Sequence, residues 1–250
     1  MRKFVILTLL ASGLVATGAL PASATVVGSD VASWQHPHHS PIAWPAVRAQ
    51  GHRFVFIKAT EGHAYVNPYF HRDWQGSAHA GIYRGAYAFA RPTRHLDSAR
   101  AQARKFVRVA GKAHAHGELP PTLDLEANGG LRPHRLIRWT HVWLRTVHRL
   151  THRRPMIYSY HYFWKHAMHH THAFRHYRLW GASYTRRPTT FGRAWNHWTF
   201  WQFTSHARVR GIRGRTDVNV FHGSLHRLQR LANYRPHRHH HRARHHHRHH

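Results

Sequence analysis

The chain has 250 residues, 42% of them hydrophobic, with no cysteine and a formal net charge of +30 from 38 Lys plus Arg against eight Asp plus Glu. That length allows one sizeable core, and a single α/β domain of ordinary size would use nearly all of it. The lack of cysteine excludes disulfide scaffolds and Cys-based zinc or thiol chemistry. Setting aside Arg2, Lys3 and the five arginines from Arg235 onward removes seven charges and leaves +23 on the body. The basic character therefore belongs to the domain itself. It favours anionic partners: nucleic acid, acidic lipid or an anionic cell-wall polymer.

Residues 1–24 read as a secretory signal, with Arg2 and Lys3 before an apolar run from Phe4 to Leu20 and a small-residue site at Ala22-Ser23-Ala24. Cleavage near Ala24 would leave an exported protein, periplasmic or extracellular. The alternative is a membrane anchor, against which the small-residue ending argues. A first strand, Val26 to Val31, follows and delivers Asp30 near its C-terminal end. After a His/Pro loop (His36 to Pro41), a short helix runs from Trp44 to Gln50 and stops at Gly51. Phe54 to Glu61 is a continuous apolar strand, as expected when both faces are covered. A helical stretch from Pro68 to Ala80, a strand from Tyr83 to Arg91 and a helix from Asp97 to Lys112 come next, with Asp97 as its N-cap candidate.

Pro120 to Glu126 reads as a short buried strand whose alternation sends Asp124 and Glu126 to one side. Pro133 to His152 is the clearest helix, with Leu136, Trp139, Trp143, Val147 and Leu150 on one face. His134, His141, Arg145, His148 and His152 lie opposite, as a solvated stripe. Strands at Met156–Tyr160, Leu179–Tyr184, Trp198–Phe203 and Asp217–Phe221 precede a last helix near Ser224 to Ala232. Strands alternating with helices, joined by crossovers long enough for parallel connections, predict a single-domain α/β barrel over residues 25–234. Residues 235–250, with nine His and five Arg, form a biased tail expected to be disordered.

Five of the eight carboxylates, Asp30, Glu61, Asp124, Glu126 and Asp217, fall at or near strand ends. The C-terminal ends of the strands are where an α/β barrel builds its site. Two carboxyl groups on one strand face suit the splitting of a glycosidic bond, one as acid and one as nucleophile or charge stabiliser. With Asp124 and Asp30 ionised nearby, Glu126 would keep its proton toward neutral pH. The bland alternative is a salt-bridged strand end, since arginine is abundant.

Segments from Val27 to about Leu231 resemble the glycoside hydrolase family 25 muramidases, lysozymes that cleave peptidoglycan. The matching runs are Gly28 to Gln35, Ile42 to Trp44, Phe54 to Gly62, Tyr69-Phe70, Arg84 to Pro92, Leu123 to Glu126, Pro155 to Ser159, Leu179-Trp180, Thr199 to Phe203 and Asp217 to Phe221. The resemblance implies an irregular TIM-like (β/α) barrel that hydrolyses the β-1,4 bond from N-acetylmuramic acid to N-acetylglucosamine and needs no cofactor and no metal. By position, Glu126 is similar to the proton donor. Asp124 is similar to its partner, either a nucleophile or the group that steadies an intermediate formed by the substrate's acetamido arm. Asp30 and Asp217 match the other two site aspartates. Tyr87, Phe89, Tyr158, Trp180, Trp201 and Gln202 resemble groove-lining positions, and Glu61 is placed with them as substrate-binding. So basic a body, the His36–His39 loop and the His-rich helix depart from the family pattern, but none removes a site carboxylate.

Of the 33 histidines, His148 and His152 stand at metal-ligand spacing, without a third ligand placed by the sequence. Peptidoglycan is the expected partner, with anionic wall or envelope polymers held by the basic surface and tail. A monomer is expected, with no nucleic acid in its function. Two rival readings stay open: a chitinase-like hydrolase of N-acetylglucosamine polymers, and a non-enzymatic cationic protein that binds the envelope or a metal.

Overall fold

The computed structural model describes residues 25–189, 191 and 194–233. Residues 1–24, read above as a signal, and residues 235–250, read as a tail, lie outside the described residues. The described residues form nine strands: β1 (Val26–Val31), β2 (Phe54–Glu61), β3 (Tyr65–Val66), β4 (Tyr83–Phe89), β5 (Thr122–Asp124), β6 (Met156–Tyr160), β7 (Arg178–Ala182), β8 (Phe200–Ala207) and β9 (Thr216–Phe221). Six α-helices accompany them: α1 (Trp44–Ala49), α2 (Phe70–His79), α3 (Leu96–Ala110), α4 (Pro133–Thr151), α5 (His161–His166) and α6 (Leu225–Ala232). The sheet runs β1-β9-β8-β7-β6-β5-β4-β2, and β1 pairs with β2 to close it; β3 is a two-residue hairpin strand on β2. The result is the expected single-domain, irregular TIM-like (β/α) barrel of eight strands.

Period-two alternation sorts the strand side chains into two cores. Phe54 and Phe56 point inward and join Met156, Trp180, Phe200 and Phe221 inside the barrel, where Leu228 and Ala232 of α6 close one end. Val55 and Ile57, one residue out of phase, face the helices and pack with Phe106, Trp139, Trp143 and Leu179. The apolar stripe of α4 behaves as its spacing predicts: Leu136, Trp139, Trp143 and Val147 are fully buried. Burial of each such side chain stabilises by about 1.5–3 kcal/mol. Ser224 caps α6 by accepting the Arg227 amide at 3.3 Å, a cap worth about 1 kcal/mol.

The structure departs from the sequence reading in several respects. Strand β9 is antiparallel to both β8 and β1, because residues 208–215 make too short a connection for a crossover. His95, not Asp97, holds the N-cap position of α3; Asp97 sits in the first turn and pairs with Arg100 at 2.6 Å. The strand read as Pro120–Glu126 keeps a ladder only over Thr122–Asp124, so Glu126 stands just beyond its end. Helix α5 and strand β3 carry no sequence signal of their own, being six and two residues long.

Candidate active site

Inward-facing positions near one rim of the barrel are polar where those below are aromatic. Asp30 lies next to the last residue of β1, Asp124 is the last of β5, and Glu126 follows two residues on. Asp217 is the second residue of β9, and the antiparallel course of that strand brings its start to the rim where the parallel strands end. Asp30 and Asp217 are direct cross-strand partners. The Leu125 amide bonds to the Tyr158 carbonyl at 3.0 Å, and Ser159 Oγ donates to the Leu125 carbonyl at 2.9 Å. Glu126 is thereby fixed although it has left the ladder.

These four carboxyl groups line one cleft of about 230 Å³ together with Tyr87, Phe89, Tyr158, Trp180 and Gln202. Two other residues named from the sequence stand outside its lining. Trp201 precedes inward-facing Gln202, so strand parity turns it outward, where its indole N–H donates to the Ser183 carbonyl at 2.8 Å. Glu61 follows a register shift between Lys58 and Thr60 that interrupts the alternation. Its carboxylate pairs with Lys58 and with Arg91 Nε at 2.9 Å. Burial alone would raise the Glu61 pKa, but these two cations lower it overall.

Lys58, Trp34, Gln35 and Tyr184 also line the cleft and were not singled out as site residues from the sequence. Lys58 had a readable signal, since it shares the inward parity of Phe54 and Phe56; its ammonium lies 4.8 Å from the centre of the Phe89 ring. Trp34 and Tyr184 are 85% and 59% exposed at the mouth. Their position depends on loop folding that no local pattern encodes. Asn219 is the other unflagged residue. It is fully buried and shares a face with Asp217 and Phe221.

One oxygen of Asp30 is held by two amides: Gln202 Nε2 donates at 2.9 Å and Asn219 Nδ2 at 2.8 Å. Gln202 Oε1 accepts the hydroxyls of Tyr158 at 2.9 Å and Tyr184 at 2.8 Å. Asn219 Oδ1 accepts the Trp180 indole N–H at 2.7 Å. Burial raises the Asp30 pKa well above the carboxylate range and neighbouring Asp217 raises it further, while the two amides act the other way. Asp124 is 5% exposed, and no donor among the described residues reaches its Oδ1. Burial and the adjoining Glu126 carboxyl raise the Asp124 pKa. Burial chiefly raises the pKa of half-buried Glu126 and Asp217 adds to it, while a hydrogen bond with Asp124 and the Lys58 charge act the other way. Two coupled carboxyls in such surroundings hold a proton as a pair to higher pH than either would alone. Burial and the surrounding carboxylates keep Tyr87 and Tyr158 as neutral phenols, and the Tyr184 pKa is pushed up to about 12.

Among the described residues, no group of three or more His, Asp or Glu side chains is placed to hold a metal ion. A barrel with close carboxyl groups at the strand ends, all four with raised pKa values, has the form of a glycoside hydrolase. Comparison with known proteins makes the class specific. The chain belongs to glycosyl hydrolases family 25, whose sequence model matches residues 29–212. It is 40% identical over 219 residues to YegX of Escherichia coli K12, covering 84% of this chain and 74% of that protein. It is 34% identical over 223 residues to lysozyme M1 of Streptomyces globisporus, covering 83% and 71% respectively. The fold matches the crystal structure of a bacterial lysozyme from Streptomyces coelicolor with a TM-score of 0.78 at 32% identity, covering 84% of this chain and 98% of that one.

Proposed function

We propose that this chain is an exported muramidase that hydrolyses the β-1,4 bond between N-acetylmuramic acid and N-acetylglucosamine in peptidoglycan. One observation carries the reading. Of eight acidic residues in the sequence, four line a single cleft. Glu126, the more accessible member of the proton-holding pair, protonates the glycosidic oxygen as its bond to the sugar C1 breaks. Asp124 acts as nucleophile or, as its donorless buried oxygen favours, accepts the N–H of the substrate's acetamido group while that group's oxygen attacks C1. Glu126, now ionised, then takes a proton from the water that opens the intermediate, and the anomeric configuration is retained. Asp30 and Asp217 shape the charge around the pair, while Tyr87, Phe89, Tyr158, Trp180 and Gln202 bound the sugar site.

The names of relatives support a muramidase reading: one is lysozyme M1, and another, 32% identical over 220 residues, is the N,O-diacetylmuramidase of Chalaropsis sp. Export rests on Arg2, Lys3 and the apolar run that ends at Ala22-Ser23-Ala24. A mature protein beginning at Thr25 is the expected product.

Digestion of purified peptidoglycan by the parent and by Glu126→Gln tests the proposal. The parent is expected to release new muramic-acid reducing ends, and the variant to be slower by about 10²–10⁴-fold, the usual worth of a general acid. New N-acetylglucosamine ends would favour the chitinase-like alternative. Full activity of the variant against bacterial cells would assign the effect to charge.

A further inference from the structure

A second, wider cavity of about 990 Å³ opens at the opposite end of the barrel, where the parallel strands begin and β9 finishes. It lies about one strand length, roughly 17–20 Å, from the carboxylate cleft. Arg154 precedes β6, Arg175 and Arg178 come from the chain entering β7, and Arg227 and Arg230 project from α6. All five are exposed. No carboxylate lines the cavity, and none of the five is in an ion pair among the described residues. Arg154 Nη1 donates to the His176 carbonyl at 3.2 Å, which fixes one guanidinium along the wall.

Most arginines of so basic a chain stand on convex surface, where water and salt screen them. A concave wall of like charge concentrates the field instead. Partial burial, together with the charges of Arg227 and Arg154, lowers the Arg178 pKa, and no carboxylate among the described residues pairs with this cation. Planar guanidinium groups match phosphate oxygens in pairs. The space exceeds what a single phosphate fills and suits several units of a chain.

From this wall we propose that the basal cavity binds an anionic polymer of repeating phosphodiesters carried by the cell wall, of the polyol-phosphate kind, and so docks the enzyme on its insoluble substrate. The choice of a wall-borne polymer rests on the muramidase reading; the anion site does not. A nucleic acid has the same phosphates but needs open aromatic faces for its bases. Those of the cavity are already engaged. Trp195 is buried against Trp164 and Phe191, Tyr177 lies against Phe174, and Trp198 packs on Trp201 and His222.

The test is calorimetric titration of the full chain with poly(glycerol phosphate), with polygalacturonate as a carboxylate polymer and with oligothymidylate of equal charge. The triple variant R178Q/R227Q/R230Q is compared with R104Q/R135Q/R138Q, which removes three exposed arginines from α3 and α4. Expected are at least tenfold weaker binding of poly(glycerol phosphate) by the basal triple, less than twofold by the control, and weaker binding of both other polymers by the parent. Equal loss in the two triples, or oligothymidylate or polygalacturonate bound as tightly by the parent, overturns the site. If the glutamine triple does not fold, R178K/R227K/R230K keeps the charge and loses the paired geometry. Threefold or greater weakening is then expected, and unchanged affinity overturns the proposal. Hydrolysis of polymer-free peptidoglycan is measured alongside and is expected to be the same in parent and basal triple. Inactivity of the parent there would remove the muramidase reading, while the binding comparison still decides the anion site.

Discussion

At the scale of single residues, the cleft depends on groups that do not line it. Asn219 is a positioning residue: it donates to Asp30 Oδ2 and accepts from the Trp180 indole. Asn219→Leu keeps the volume and loses both bonds. Leaving the indole N–H unpaired is expected to cost about 1–3 kcal/mol in urea unfolding. Without that donor the Asp30 pKa rises further, so the acid limb of the pH–rate profile is expected to move to higher pH. A stability loss with an unmoved limb would make the role purely structural. A second buried polar group, His52, meets Ser29 Oγ at 2.8 Å, and burial lowers its pKa. The unfolded chain takes up a proton there near pH 6.5 and the folded chain does so only at lower pH. Stability from this group is therefore full above about pH 6.5 and is lost as pH falls through that value. Urea midpoints at pH 7.5 and 5.5 are expected to fall further in the parent than in His52→Gln. Equal falls would place the titration elsewhere.

At the scale of elements, β1 and β2 show how closely the barrel is built. A Cβ on Gly28 would lie 2.3 Å from the Phe54 carbonyl oxygen and 2.5 Å from its ring. Gly28 and Phe54 are register partners, and Asp30 follows two residues on. Gly28→Ala is expected to separate the strands, lowering stability by about 1–3 kcal/mol and turnover with it; urea unfolding beside peptidoglycan hydrolysis measures both. Such elements were legible because their signals are local: Phe54 to Glu61 is one apolar run, and the stripe of α4 has one period. The Asp124/Glu126 pair was legible for the same reason, with a single residue between them. What sequence reading missed depends on long-range course. That β9 runs antiparallel decides how Asp217 meets Asp30, yet nothing within Thr216 to Phe221 states a direction. A register shift after Lys58 moved Glu61 off the cleft lining, and strand parity did the same for Trp201. Tyr184 was read as a strand end, whereas β7 stops at Ala182 and the tyrosine reaches Gln202 from the following loop.

At the scale of the whole molecule, four carboxyl groups converge inside a strongly positive body. The +30 charge of the chain works against the mutual repulsion of these carboxyls, and Lys58 adds a local contribution that lowers the pKa of both Asp124 and Glu126. The distant part of that field is screened by salt: the Debye length falls from about 30 Å at 0.01 M to about 3 Å at 1 M. A positive field favours the ionised form of a carboxyl, so screening it lets the Asp124–Glu126 pair hold its proton to higher pH. The basic limb of the pH–rate profile on a soluble, uncharged glycan is therefore expected to move upward as sodium chloride rises from 10 mM to 500 mM. On intact cell wall the same salt is expected to raise KM, because attraction of the basic surface to an anionic polymer weakens. A limb that stays fixed on the soluble glycan, measured at constant temperature with kcat followed from pH 5 to pH 9, would confine control of the pair to burial and Lys58. The surface charge would then act on binding alone.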